Sequence, residues 1–400
     1  MLSSTILTRI AKYNTGRDPA RLALKFRAMR ADPFRFFRGS AHLFWEDWAA
    51  ANEKPDPGPL AWSCGDLHLE NFGSFLGDNR LVYFDLNDFD ESALAPAACD
   101  VTRLLTSAHL AARSIGITPG ETSELIDTFL GAYRTALSEG KARWIERATA
   151  TGMVRDLLCA AHRRSRDELL NARTTIKRGH RRLKVDDKRI AAASSADARA
   201  VTAAIEEYAS EVESRRDTPS AEFYRVLDVG VRIAGTGSLG LRRYIVLVCG
   251  TGGIDGNYLL DVKEAKASSM AVHLAVPQPR WRNEAERIVA IQTRVQAASP
   301  ALLSAMHVGG KPFVLKELQP SEDRLSLESA RGKLKRLRKT ARAMARSLAW
   351  GQLRSASRQG AAGLDELIDF GRRAAWGRDA ARYAARYAEI VEENWNEFSS

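Results

Sequence analysis

Midway along this chain the spacing of apolar residues changes period, and no other feature constrains the fold as tightly. From Phe223 to Leu318 the apolar residues fall in short blocks, VLDVGVRIAG, RRYIVLVCG, NYLLDVKEA and PFVLKEL, that read as β-strands. The glycine-rich turns GTGSLG and GTGGIDGN separate the first three, as in an antiparallel meander. One helical block, RNEAERIVAIQTRVQAA, interrupts them and carries Ile288, Ile291, Val295 and Ala298 on one face. On both sides the pattern is helical. Asp32-Pro33 breaks an early helix, because a residue before proline avoids the helical region, and Phe34, Phe36 and Phe37 read as core anchors. Towards the C-terminus Leu334, Leu337, Ala341, Met344 and Leu348 form an apolar stripe, with Tyr383 and Tyr387 at helical spacing beyond it. The expected class is α+β, with a small antiparallel β unit over residues 222–318 between helical segments at 1–221 and 319–400.

The stretch Cys64–Asp90, CGDLHLENFGSFLGDNRLVYFDLNDFD, concentrates the chemistry. Asp66 and Asn71 stand five residues apart, a strand pattern follows at Leu81–Phe84, and then come Asp85, Asp88, Asp90 and Glu91. These are the acidic parts of a phosphoryl-transfer site. Asp66 would accept the proton of the attacking hydroxyl. Asn71 and Asp88 would hold magnesium, a hard cation that takes oxygen ligands. Asp85, nearer the strand end, is the alternative metal ligand. His68 competes poorly with Asp66 as a base and is expected to serve as a structural hydrogen-bonding group.

Gly235-Thr-Gly-Ser-Leu-Gly240 fits GxGxxG. A dinucleotide fingerprint requires a helix next, whereas the strand pattern LRRYIVLV follows here. That context suits either a plain hairpin or a glycine turn whose backbone N–H groups cover ATP phosphates. Gly235, Gly237, Ser238 and Gly240 are therefore expected at the nucleotide. Lys263, on the next strand pattern, would pair with the phosphates. A lysine on an apolar strand is costly to bury unpaired; Glu264, Glu284 and Glu286 are the candidate partners, with Glu286 preferred. No GxxxxGK[ST] phosphate loop, serine-hydrolase elbow or HExxH is present.

The formal net charge of +11 suits anionic partners such as nucleotides, phosphorylated substrates, nucleic acid or acidic lipid, or simple solubility. Two stretches carry most of it: Arg163–Arg189, expected as a solvated or mobile insert, and the helix after Arg331. Arg35 and Arg38 stand near the aromatic cluster and would meet a phosphate or a surface carboxylate. The four cysteines, Cys64, Cys99, Cys159 and Cys249, are scattered, which argues against a zinc site or a disulfide framework and suits a reducing cytoplasm. The longest strongly apolar run, Tyr244–Val248, is far short of a membrane span, and the N-terminus lacks a secretory pattern.

GDLHLEN resembles the catalytic loop of aminoglycoside phosphotransferases and choline kinases, whose pattern is HGDLHxxN. NDFDES, followed by Pro96 and Asp100, resembles their metal-binding aspartate and the helix-capping aspartate that steadies the catalytic loop. Over most of its length the chain is similar to a bacterial family described as domain of unknown function 2252. The blocks that carry this likeness are FRAMRADPFRFFRGSA, GDLHLENFG, FDLNDFDES, DVTRLLTS, AGTGSLGLRRYIVLV and VKEAKASS. The resemblance implies a two-lobed protein-kinase-like fold that uses ATP and Mg2+ on an acceptor of unknown identity, more readily a small molecule than a protein. Asp66 precedes Lys263, the reverse of the usual order, so it also implies a circular permutation. Residues 222–318 would then form the small lobe and PFVLKELQPSEDRL its last strand and hinge. Two departures stand out: Cys64 replaces the usual histidine, and Arg242 stands where the glycine loop usually has valine. The alternatives are AMP transfer on the same fold and a degenerate nucleotide-sensing or nucleic-acid-binding protein.

Overall fold

A computed structural model describes residues 5–213, 219–319, 324–325 and 331–400. Its centre is a six-stranded antiparallel sheet, in spatial order Ser304–Val308, Lys311–Glu317, Tyr258–Glu264, Arg243–Val248, Val226–Arg232 and Ile190–Ala192. All four strands expected from the apolar blocks form. Alternation sends their side chains to opposite faces. Tyr244, Val246, Leu260, Val262, Phe313 and Leu315 pack against Val201, Ile205, Tyr208 and Val212 of the helix Ser195–Glu213. Ile245, Leu247 and Leu259 face the other way.

This lobe begins earlier than the expected boundary at residue 222. Ser195–Glu213 and the edge strand Ile190–Ala192 belong to the sheet and not to the helical segment before it. The basic stretch Arg163–Arg189 is also docked. It contains the hairpin Thr174–Lys177 and His180–Leu183, whose Leu183, together with Leu170, packs beneath the sheet on Ile190, Ile245, Leu247, Leu259 and Leu318. Lys177, Arg178, Arg182 and Lys184 remain exposed. Charge density alone read as a loop because the two anchoring leucines are sparse among many cations.

The helical body is built around Ala97–Ser114, a helix buried along most of its length. It packs on Ala375–Ser399, while Pro119–Ser138 packs on Leu334–Arg354. Leu337, Met344 and Leu348 of the expected stripe are buried, whereas residues 326–330, also expected as helix, lie outside the described residues. Phe34, Phe36 and Phe37 enter the same core, with Tyr383 and Tyr387. The helix Glu284–Val295 places Ile288, Ile291 and Val295 in this core too, so it joins the helical body to the sheet. Among the described residues no helix is long and apolar enough to cross a membrane.

Candidate functional site

The segment after the short strand Leu60–Ser63 is shaped by close approach. Gly65 has φ +81, and a Cβ there would sit 2.0 Å from the Glu91 carbonyl oxygen, so only glycine fits. Asp100 lies in the first turn of Ala97–Ser114, a helix that starts at Ala97 and not at Asp100. Its carboxylate accepts from the Cys64 N–H at 2.8 Å and from the Gly65 N–H at 3.1 Å. Asp100 thus steadies the loop as the resemblance implied, but from the first turn of the helix and not from its N-cap. Burial pushes the Asp100 carboxyl up to about 6 against the pull of those two N–H donors.

Asp66 follows at the mouth of a cleft between the sheet and the helical body. Arg103, completely buried, donates to its Oδ1 from Nε at 3.1 Å and from Nη2 at 2.5 Å. The guanidinium is fixed in turn by the Phe37 ring at 4.0 Å and the Phe37 carbonyl at 3.2 Å. Burial raises the Asp66 carboxyl above the usual carboxylate range, with Arg103 opposing the shift. Such a group is a stronger base than an exposed aspartate yet remains oriented. His68 is held neutral by burial and by Arg38 and Arg103, and its Nδ1 accepts from the Glu70 N–H at 3.1 Å, which is a structural role.

Asn71 ties the two halves of the site. Its Nδ2 donates to the Asp66 carbonyl at 3.1 Å and to the Asp88 carbonyl at 3.3 Å, and its Oδ1 accepts from the Asp88 N–H at 2.8 Å. This amide clasps backbone to backbone, so metal binding by Asn71 would have to share an oxygen already in use. Asp85 is not a cleft residue. It is buried on the other side of its strand, accepts from Arg354 at 3.1 Å and from the Leu86 N–H at 3.0 Å, and is pushed up to about 6 by burial. The alternative metal ligand is therefore withdrawn.

Asp88 and Asp90 both face the cleft, and Lys263 meets them there. Its ammonium contacts the Asp90 carboxylate directly and lies 3.7 Å from Asp88. Desolvation opposes ionisation of Asp88, but Lys263, Lys316 and Arg324 outweigh it and hold that carboxyl down at about 2. Desolvation and the Asp88 charge push Asp90 up instead. The expected partner, Glu286, does not reach Lys263; its carboxylate lies 3.7 Å from Arg282 on the outer side of the helix. That helix supports the acidic loop through Arg287, which donates to the carbonyls of Asp90 at 2.8 Å and Lys266 at 2.9 Å. Periodicity could have found Arg287, since it precedes the buried Ile288 and stands four residues before Ile291. Asp90 and Arg103 offered no sequence signal beyond their proximity to the motifs.

The glycine turn closes the cleft from above. Gly235 and Gly240 have φ +80 and +89, a conformation that favours glycine, and Ser238 is buried between them. Gly237 and Ser238 line the cleft opposite Asp66. The first helices hold this turn: Arg17 donates to the Gly237 and Leu239 carbonyls at 2.8 and 3.0 Å, and the Asp18 N–H donates to the Gly240 carbonyl at 3.1 Å. The cleft thus gathers Asp66, Asn71, Asp88, Gly235, Gly237, Ser238 and Lys263 and leaves out Asp85 and Glu286. Gly240 contributes by shaping the turn.

Magnesium takes one or two carboxylates plus phosphate oxygens, and Asp88 with Asp90 supplies such a pair. Among the described residues no group of three or more His, Cys, Asp or Glu side chains is arranged to hold a metal by itself. The donor set fits a cation that is completed by its substrate.

Fold and site together define a mixed α+β protein with a charged interlobe cleft. Residues 17–400 match the family described as uncharacterized proteins conserved in bacteria, DUF2252, and the chain belongs to that family. No curated protein and no solved structure matches it.

Proposed function

We propose that this protein is an ATP- and magnesium-dependent phosphotransferase with a circularly permuted, protein-kinase-like arrangement, acting on the hydroxyl of a small molecule. The observation that carries the proposal is the convergence in one cleft of Asp66, the Asp88–Asp90 pair, the glycine turn and Lys263, drawn from segments well over a hundred residues apart in sequence. In this reaction the acceptor oxygen forms a bond to the γ-phosphorus as the bridge to the β-phosphate breaks. The hydroxyl proton passes to Asp66 and ADP leaves. Arg103 orients Asp66, Lys263 beside Asp88 and Asp90 would pair with the phosphates, and the turn at Gly235–Gly240 would limit access of water. Magnesium bound by Asp88 and Asp90 would supply neutralisation of the phosphate charge.

ATP turnover with magnesium tests this, with Asp66→Ala and Lys263→Ala beside the wild type. Turnover that vanishes in both variants is expected, and wild-type turnover that persists in both would sink the proposal. A second reading, transfer of AMP with the nucleotide reversed, is favoured by the five cations that line the cavity beneath the sheet, where the phosphate end would then lie. Label on the α-phosphate incorporated into product, with none from the γ-phosphate, would select it.

A further inference from the structure

Behind Asp88 and Asp90 the cleft continues as a cavity under the sheet, and its lining is mostly charged and polar where a purine pocket is mostly apolar. The strand register explains this. Lys316 lies opposite Asp261, and Lys263 follows two residues later on the same face of its strand. Asp261 is shared by two arginines: Arg232 at 2.7 Å and Arg243 at 2.5 Å. Each guanidinium therefore keeps N–H donors that Asp261 does not use. With Arg324, the lining holds five cations, namely Arg232, Arg243, Lys263, Lys316 and Arg324, against the three carboxylates Asp88, Asp90 and Asp261.

Lys316 is the telling group. Burial lowers its ammonium below the usual lysine range; Asp261 and Asp88 attract it, yet among the described residues neither forms an ion pair with it within 4.0 Å. A half-buried cation that reaches no carboxylate directly gains from an anion that completes it. Phe89, Ile288 and Val314 form the small apolar part of the lining, while Leu170 and Leu183 cover Ile245, Leu247 and Leu259 on the same sheet face.

We propose that this cavity seats a linear chain of phosphates, with Lys316 as a contact, so that the donor is recognised through its phosphates and not through its base. This rests on the reading of the cleft as a nucleotide-dependent transferase, of phosphate or of AMP, and adds the donor class. It makes inorganic tripolyphosphate a ligand in its own right, and ATP and GTP near-equivalent.

Calorimetric titration of the full chain with tripolyphosphate, ATP, GTP and adenosine, all with magnesium, tests it. The expected result is that tripolyphosphate binds within about tenfold of ATP, GTP within about threefold, and adenosine not at all. Lys316→Gln weakens tripolyphosphate and ATP at least tenfold, while Lys316→Arg retains binding, and both variants keep the wild-type melting temperature to show that they fold. ATP binding with tripolyphosphate at least a hundredfold weaker, or competition by adenosine, overturns the inference and leaves the phosphotransferase intact. Undiminished binding in a folded Lys316→Gln protein places the phosphates elsewhere and also overturns it. If neither ATP nor tripolyphosphate binds, both proposals fall together.

Discussion

Arg103 is the residue on which Asp66 most depends. Its side chain is completely buried and its two bonds to Oδ1 set the direction of the carboxylate. Arg103→Met removes the cation and leaves the acid in the same low-dielectric setting. The Asp66 carboxyl, already raised by burial, then rises further, and the acid limb of the turnover profile moves to higher pH. Breaking a buried pair is also expected to destabilise the fold by roughly 3 kcal/mol. A pH–rate profile with a parallel denaturant melt separates the two effects, and an unshifted acid limb would count against Asp66 as the base. Two other carboxyls give a stability signature. Asp85 and Asp100 are both raised to about 6 in the folded protein, from 3.8. A raised acid contributes stability that is fully present below the unfolded value and lost as pH rises through the folded one. The expected outcome is a loss of stability between about pH 4 and pH 6. In Asp85→Asn that slope shrinks, as denaturant unfolding at several pH values would show.

At the scale of elements, the glycine turn is a part held in place and not a free flap. Arg17 and the Asp18 N–H grip its carbonyls, and a Cβ on Gly240 would come 2.8 Å from the Arg17 Cβ. Gly240→Ala therefore strains both partners, with an expected cost of about 2 kcal/mol for the left-handed backbone. Arg17→Ala loosens the turn without straining it. Its expected effect is a several-fold rise in KM for ATP with little change in melting temperature, readable from steady-state kinetics; an unchanged KM would mean that the grip is irrelevant to the nucleotide. The first helices give no such hint in sequence, where Arg17 is one cation among many. The docking of hairpin 174–183 was hidden for a similar reason, because Leu170 and Leu183 carry no periodic signal until the sheet is there to receive them.

Over the whole molecule the cleft lies between two hydrophobic cores, one in the helical body and one on the outer face of the sheet. A ligand that touches Asp88, Lys263 and the glycine turn bridges them. Magnesium-ATP at a hundred times its Kd is therefore expected to add about 2.7 kcal/mol to the unfolding free energy. Hydrogen exchange should slow on both sides of the cleft, in Arg243–Val248 as well as Ala97–Ser114. Protection confined to one lobe would contradict a bridging site.

The sequence by itself determined the local matters. Period-two blocks separated by glycine turns specified the strands, the 3.6-residue stripes specified the helices around them, and the spacing of Asp66, Asn71 and Asp88 marked the loops that line the cleft. These are set by backbone geometry within a few residues, so they are legible without the fold. Which carboxylate meets Lys263 was decided only in three dimensions. Asp88, Asp90 and Glu286 are all plausible neighbours by type, and the turn after Leu86 brings the first two inward while the helix Glu284–Val295 directs Glu286 towards Arg282 and away from Lys263. The same holds for Asp85, which faces away from the cleft, and for Lys316, which the register sets across from Asp261, a carboxylate already taken by Arg232 and Arg243. Long-range pairing depends on the rotation of whole elements relative to one another, and no local pattern encodes that rotation.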